Sequence, residues 1–110
     1  MRIVDYNTFV KLPTGTMYCE TVPCVFGEIK IKHETINEEK DWFLQCFQGN
    51  IESENGFRES YNKLLEGKEV NLDLGTLERD GMFDYDRKFA IYSQKDIQDM
   101  INKLQSILTK

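Results

Sequence analysis

The segment Asp41-Trp42-Phe43-Leu44-Gln45-Cys46-Phe47-Gln48 carries the architecture of this chain. Its large apolar residues fall on both faces of an extended backbone, as an interior strand covered on two sides requires. Gly49-Asn50 ends it with turn chemistry. Upstream, residues 27–33 alternate cleanly, with Ile29 and Ile31 on one face and Glu28, Lys30 and Lys32 on the other. That pattern predicts a half-buried strand whose lysine face meets solvent or a ligand. Residues 17–22 predict a strand stopped by Pro23, after a turn at Thr14-Gly15. A short helix over residues 6–12 fits between Asp5 as N-cap and Pro13 as stop.

Downstream, residues 53–55 offer helix caps, and Phe57, Tyr61, Leu64 and Leu65 recur at helical spacing until Gly67, a C-terminal cap. Val70, Leu72 and Leu74 alternate with Asn71 and Asp73, which predicts a fourth strand, and residues 89–92 predict a fifth. Ser93, with Asp96 three residues on, has the form of a capping box, and Tyr92 can staple onto Ile97. Ile97, Met100, Ile101, Leu104, Ile107 and Leu108 then form one apolar stripe, opposite Lys95, Gln98, Asp99, Asn102, Lys103 and Gln105. The expected fold is α+β: a mostly antiparallel five-stranded sheet with a short N-terminal helix, a middle helix and a C-terminal amphipathic helix. The pattern leaves open whether the sheet curls toward a small barrel.

The 110 residues have the size of one domain. Charged residues at 30% and hydrophobic ones at 40% place the chain among globular proteins. A net charge of -5 argues against nonspecific binding to DNA or anionic membrane and suits a basic protein partner. No run approaches the ~18 apolar residues of a membrane-spanning helix, and the opening residues lack a secretory apolar core. The three cysteines, Cys19, Cys24 and Cys46, match no zinc spacing and are expected as free, mostly buried thiols in a reducing cytoplasm.

Four constellations could carry chemistry. Glu78, Asp80, Asp84 and Asp86 cluster within nine residues, but not at the spacing of a calcium loop, and Asp80-Gly81 reads as a solvated turn with local salt bridges to Arg79, Arg87 and Lys88. His33, the one imidazole, could meet Cys19 or Cys24, though no local signature supports a nucleophilic pair. Lys30, Lys32 and His33, with Arg87 and Lys88 beside Tyr85, could line a small anionic pocket for a nucleotide-type ligand; no Gly-rich phosphate loop accompanies them. Finally, Tyr6, Tyr18, Tyr61, Tyr85, Tyr92, Trp42 and Phe83 exceed what a core of this size must bury, and such aromatics anchor interfaces. Asp80, Met82, Phe83, Asp84, Tyr85 and Asp86 would then form an acidic, aromatic anchor for a protein partner. Self-association through a sheet edge or through the last helix would use the same surplus. No cofactor or metal is expected.

Three stretches carry a resemblance. They are Tyr6-x-x-Phe9-x-x-Leu12-Pro13-x-Gly15-Thr16-x-Tyr18, then Pro23-x-x-Phe26-Gly27-x-Ile29-x-Ile31-Lys32, and lastly Arg79-Asp80-Gly81-Met82-Phe83-Asp84 with Phe89-Ala90-Ile91-Tyr92. In these the chain resembles a loose group of small uncharacterised proteins of tailed phages and prophages. The resemblance implies an accessory protein in the cytoplasm of a bacterial host, acting by binding a host component such as a defence protein. Sequestration of a nucleotide signal, a small metal-dependent hydrolase and a phage assembly factor are the alternatives.

Overall fold

The computed structural model describes residues 1–52, 56–81 and 85–110. The chain runs β1 (Arg2–Asp5), α1 (Tyr6–Phe9), β2 (Thr16–Val22), β3 (Val25–Phe26), β4 (Lys30–Ile36), β5 (Asp41–Cys46), β6 (Asn50–Ile51), α2 (Phe57–Leu65), β7 (Leu72–Asp73), β8 (Glu78–Gly81), β9 (Lys88–Ile91) and α3 (Gln94–Leu108). The main sheet has the order β1-β9-β2-β4-β5-β8, every pair antiparallel, and β3 folds back on the end of β2. The fold is α+β. The sheet stays open, with β1 and β8 as its two edges, and does not close into a barrel.

Directly paired residues of antiparallel strands share a face. Tyr18, Lys30 and Cys46 therefore form one row of the inner face, and Thr16, Lys32, Leu44 and Glu78 the next. α1 lies on this face. Asp5 caps it by accepting from the Thr8 N–H at 2.8 Å, and Tyr6, Phe9 and Val10 are thereby delivered onto Tyr18, Trp42, Leu44, Phe89 and Ile91. Phe9 stacks on Phe89 with ring centroids 4.0 Å apart, and the Trp42 indole N–H donates to the Tyr18 hydroxyl at 2.9 Å.

This arrangement inverts the expected polarity of β4. Lys30 and Lys32 face inward, and Lys32 is 1% exposed. Its stem lies against the core while its ammonium donates to the Leu12 carbonyl at 2.9 Å, the His33 carbonyl at 3.0 Å and Thr35 Oγ1 at 2.7 Å. Thr35 Oγ1 in turn donates to the Val10 carbonyl at 2.6 Å, so the pair ties the chain leaving α1 to the sheet. A register irregularity between Lys32 and Thr35 brings these two side chains together. Burial lowers the Lys32 pKa, because the charged form is the one that loses water.

Other elements also depart from expectation. Residues 70–74 do not extend the main sheet: only Leu72–Asp73 is a strand, paired with Asn50–Ile51 in a separate two-stranded sheet. Leu72 and Leu74 are exposed, so no core rewards a longer strand there. Conversely, the acidic stretch expected as a turn is the edge strand β8, in register with β5 from Asp41↔Gly81 to Leu44↔Glu78. Gly81 has φ +121, and a Cβ there would lie 2.6 Å from the Lys40 carbonyl oxygen, so glycine permits this close approach. The helix caps expected at 53–55 lie outside the described residues.

Both later helices form as expected but pack little. α2 ends in a Schellman motif, with Gly67 at φ +81, its N–H on the Leu64 carbonyl and the Lys68 N–H on that of Lys63. α3 carries the full capping box between Ser93 and Asp96. Neither helix contributes to the hydrophobic core. The Cα radius of gyration is 16.3 Å, above the ~13 Å of a compact chain of this length, as projecting elements require. Among the described residues no helix is long and apolar enough to cross a membrane.

Candidate binding surface around Arg87 and Tyr85

Arg87 precedes β9 and reaches across the inner face. It donates from Nη1 and Nη2 to the two oxygens of Asp80 at 3.1 and 2.8 Å, and from Nε to Glu20 Oε2 at 3.2 Å. A further bond joins Nη2 to Glu20 Oε1. Beneath, the guanidinium carbon lies 5.2 Å from the Trp42 ring centroid and 5.4 Å from that of Phe89. Lys30 adds a second cation 3.9 Å from Glu20. Burial pushes the Asp80 carboxyl up, but hydrogen bonds from Arg87 and from the Gly81 N–H outweigh it and hold the group below the usual carboxylate range. Burial likewise disfavours the Arg87 charge, and the two carboxylates more than restore it. Two cations therefore meet two anions, in a network that is neutral as a whole.

A cavity of about 470 Å³ opens beside this network, between Arg87 and the β2–β3 hairpin. The hairpin turns at Pro23-Cys24, with Cys24 at φ 65, a type II geometry in which proline presets the first corner. Val22, Val25 and Phe26 stand exposed around it. Past the other side of the sheet end, Tyr85 packs edge-on against Tyr6 with centroids 5.0 Å apart and remains 51% exposed. These two rings line a second cavity of about 360 Å³ with Asn7, Lys11 and residues 38–40. The loop forming its far wall is strained: Asn37, Glu38 and Glu39 have φ of 55, 57 and 64, consecutive left-handed residues without a glycine among them. The Tyr6 hydroxyl donates to the Lys40 carbonyl and anchors the loop.

The residues expected to form an anionic pocket are thus divided. Arg87 is committed to Glu20 and Asp80, Lys30 approaches Glu20, and Lys32 is buried. His33 pairs with Gln45, its Nε2 2.9 Å from Oε1, and Lys88 is exposed at the strand edge of the 470 Å³ cavity. Of the expected partner anchor, Met82, Phe83 and Asp84 lie outside the described residues. Asp80 is turned to Arg87, while Tyr85 and Asp86 are exposed. Sequence reasoning counted Tyr6 among the surplus aromatics but missed Glu20 and the 37–40 loop as members of this surface, because each arrives from a distant part of the chain. Glu20 and Arg87, for instance, are separated by 67 positions.

Among the described residues, no three His, Cys, Asp or Glu side chains converge as a metal site. Cys19 is buried, with the Tyr92 hydroxyl 3.6 Å from its sulfur, and burial and that contact push Tyr92 up to about 12. Burial and the neighbouring Glu78 raise the Cys46 thiol; Cys24 is exposed on the hairpin. No protein-family model matches the chain, and neither a curated protein nor a solved structure matches it.

Proposed function

We propose that this chain is a non-enzymatic accessory protein of the phage or prophage type that acts by stoichiometric binding to a host protein, as an inhibitor of host defence. The observation that supports binding most directly is Tyr85: half exposed, yet packed edge-on against the buried Tyr6. A preoriented aromatic over a cleft is the kind of group that anchors an interface at low entropic cost. Exposed Asp86 beside it and the chain's charge of -5 favour a partner with a basic patch, by steering the encounter. The host-defence context rests on the sequence resemblance alone. Nucleotide sequestration draws less support, since an anionic ligand would have to compete with Glu20 and Asp80 for Arg87.

The test is native mass spectrometry of the tagged protein after incubation in bacterial host lysate. The expected result is a complex of fixed stoichiometry with one protein, reduced at least tenfold in abundance by Tyr85→Ala and weakened by Asp86→Lys, both variants keeping the wild-type circular dichroism. Retention of only a few hundred daltons, unaffected by Tyr85→Ala, would turn the reading to a small ligand. Bare protein would overturn both.

A further inference from the structure

α3 is the least supported apolar surface of the molecule. Every residue from 101 to 110 is exposed, including Ile101, Leu104, Ile107 and, at 80%, Leu108. Patches of this kind on a folded chain mark a contact that another molecule covers. The spacing within the stripe says which molecule. Ile97, Ile101, Leu104 and Leu108 are separated by four, three and four residues, a seam that reads the same in both directions. Two such helices laid antiparallel about a two-fold axis place Ile97 against Leu108 and Ile101 against Leu104, at both ends alike.

The flanks fit the same arrangement. On either side of the seam stand Gln98 and Gln105, and Met100 and Ile107. In an antiparallel pair each flank meets its own kind, so amides face amides and apolar side chains face apolar ones. A parallel pair would set each glutamine against Met100 or Ile107 of the other copy. Charge agrees as well. The helix carries Lys95 and Lys103 against Asp96 and Asp99, a sum of zero in a chain of -5. Asp99 is already paired with Lys95 at 2.7 Å and Asp96 with the N-terminal ammonium at 2.8 Å, both away from the seam. α3 is thus a neutral face through which two acidic molecules can meet without repulsion.

We infer that α3 is a self-association site, where a second copy of this chain docks as an antiparallel helix pair with Ile101 and Leu104 at its centre. Fifteen residues of helix span only about 22 Å, too short a seam to reach the standard interface of about 800 Å² per partner, so the dimer should dissociate in the micromolar range. This inference stands apart from the Tyr85 reading, since either surface could fail without the other.

Sedimentation equilibrium of the full chain across the micromolar range tests it. The mass should rise with concentration from 13.0 kDa toward twice that. Leu104→Asp should hold the chain monomeric, with its sheet spectrum intact because the core contains no α3 residue. Gln98→Lys with Gln105→Glu creates two opposite-charge contacts only in the antiparallel register and should tighten the dimer by roughly threefold to tenfold. Gln98→Lys with Gln105→Lys should loosen it by as much. A wild-type chain that stays monomeric, or a dimer indifferent to both glutamine pairs, overturns the proposal; the first result would give this face to a different protein or to a lipid surface.

Discussion

Replacing Arg87 by alanine should destabilise the protein by about 2–4 kcal/mol. Removing one partner of a buried ion pair costs about 3–5 kcal/mol, because the other charge is stranded. Here Arg87 is 13% exposed, but Asp80 and Glu20 are 27% and 38% exposed, so water rescues part of the loss. The lost stacking on Trp42 and Phe89 adds about 0.5–1 kcal/mol. At about 4 °C per kcal/mol, the melting temperature at about pH 7 should fall by roughly 8–16 °C. Arg87→Lys keeps the charge but lacks the planar fork that gives each carboxylate two bonds, and should lose about half as much. The pH dependence has a definite sign. Asp80 is held below its ordinary 3.8, so its share of the stability is complete above that value and is lost as pH falls through the lower folded pKa. The gap between wild type and Arg87→Ala should therefore narrow from about pH 4 downward. Thermal melts at about pH 7 and about pH 3 measure both. A melting temperature within about 2 °C of wild type at neutral pH, or a gap that widens in acid, would refute a structural role for the network.

Tyr18→Phe leaves the buried Trp42 indole N–H without its acceptor and should cost about 1–3 kcal/mol in urea unfolding, whereas an unchanged midpoint would mean that the indole finds another partner. Glu39→Gly should raise stability by about 1 kcal/mol by releasing one left-handed residue of the 37–39 run, and a destabilised variant would show that the Glu39 side chain outweighs the backbone strain.

What could be read in advance was local. The Ser93–Asp96 capping box, the Gly67 terminus and the Asp5 cap each lie within a few residues, and each formed as its chemistry demands. The run at 41–48 was legible as an interior strand, which Asp41–Cys46 is, but not as one covered on both faces: Trp42 and Leu44 are buried, whereas Phe43 is only half-buried and Phe47 is exposed. The alternation at 27–33 gave two faces but not their destination. Isoleucine marks the inner side only if nothing better covers the lysines, and here α1 supplies the Leu12 carbonyl while Thr35 supplies a hydroxyl. β8 was hidden because an edge strand can carry Glu78, Arg79 and Asp80 without apolar alternation, which is also how edges avoid unwanted pairing. The Arg87 network was legible only in part: the Asp80–Arg87 pair is seven residues apart and could be expected from the local charges, whereas Glu20 and Lys30 come from distant strands and leave no common trace with it along the chain.

The positions of Tyr85 and α3 give the two proposed surfaces a relation. β9 separates them: Tyr85 precedes its Lys88 end, and Ser93 caps α3 just beyond its Ile91 end. A 15-residue helix is marginal in water without tertiary support, and a capping box with one i,i+4 ion pair supplies only about 1–2 kcal/mol. The apolar stripe is therefore costly to expose and of little use to the monomer, whose core is complete without it. A second copy covering α3 removes that exposure and leaves both Tyr85 ends open, on opposite ends of their strands from the contact. Such a dimer offers two identical anchors. On a partner that is itself a symmetric oligomer, the second engagement would be intramolecular, so a micromolar helix contact and a modest aromatic anchor could together hold far more tightly than either alone.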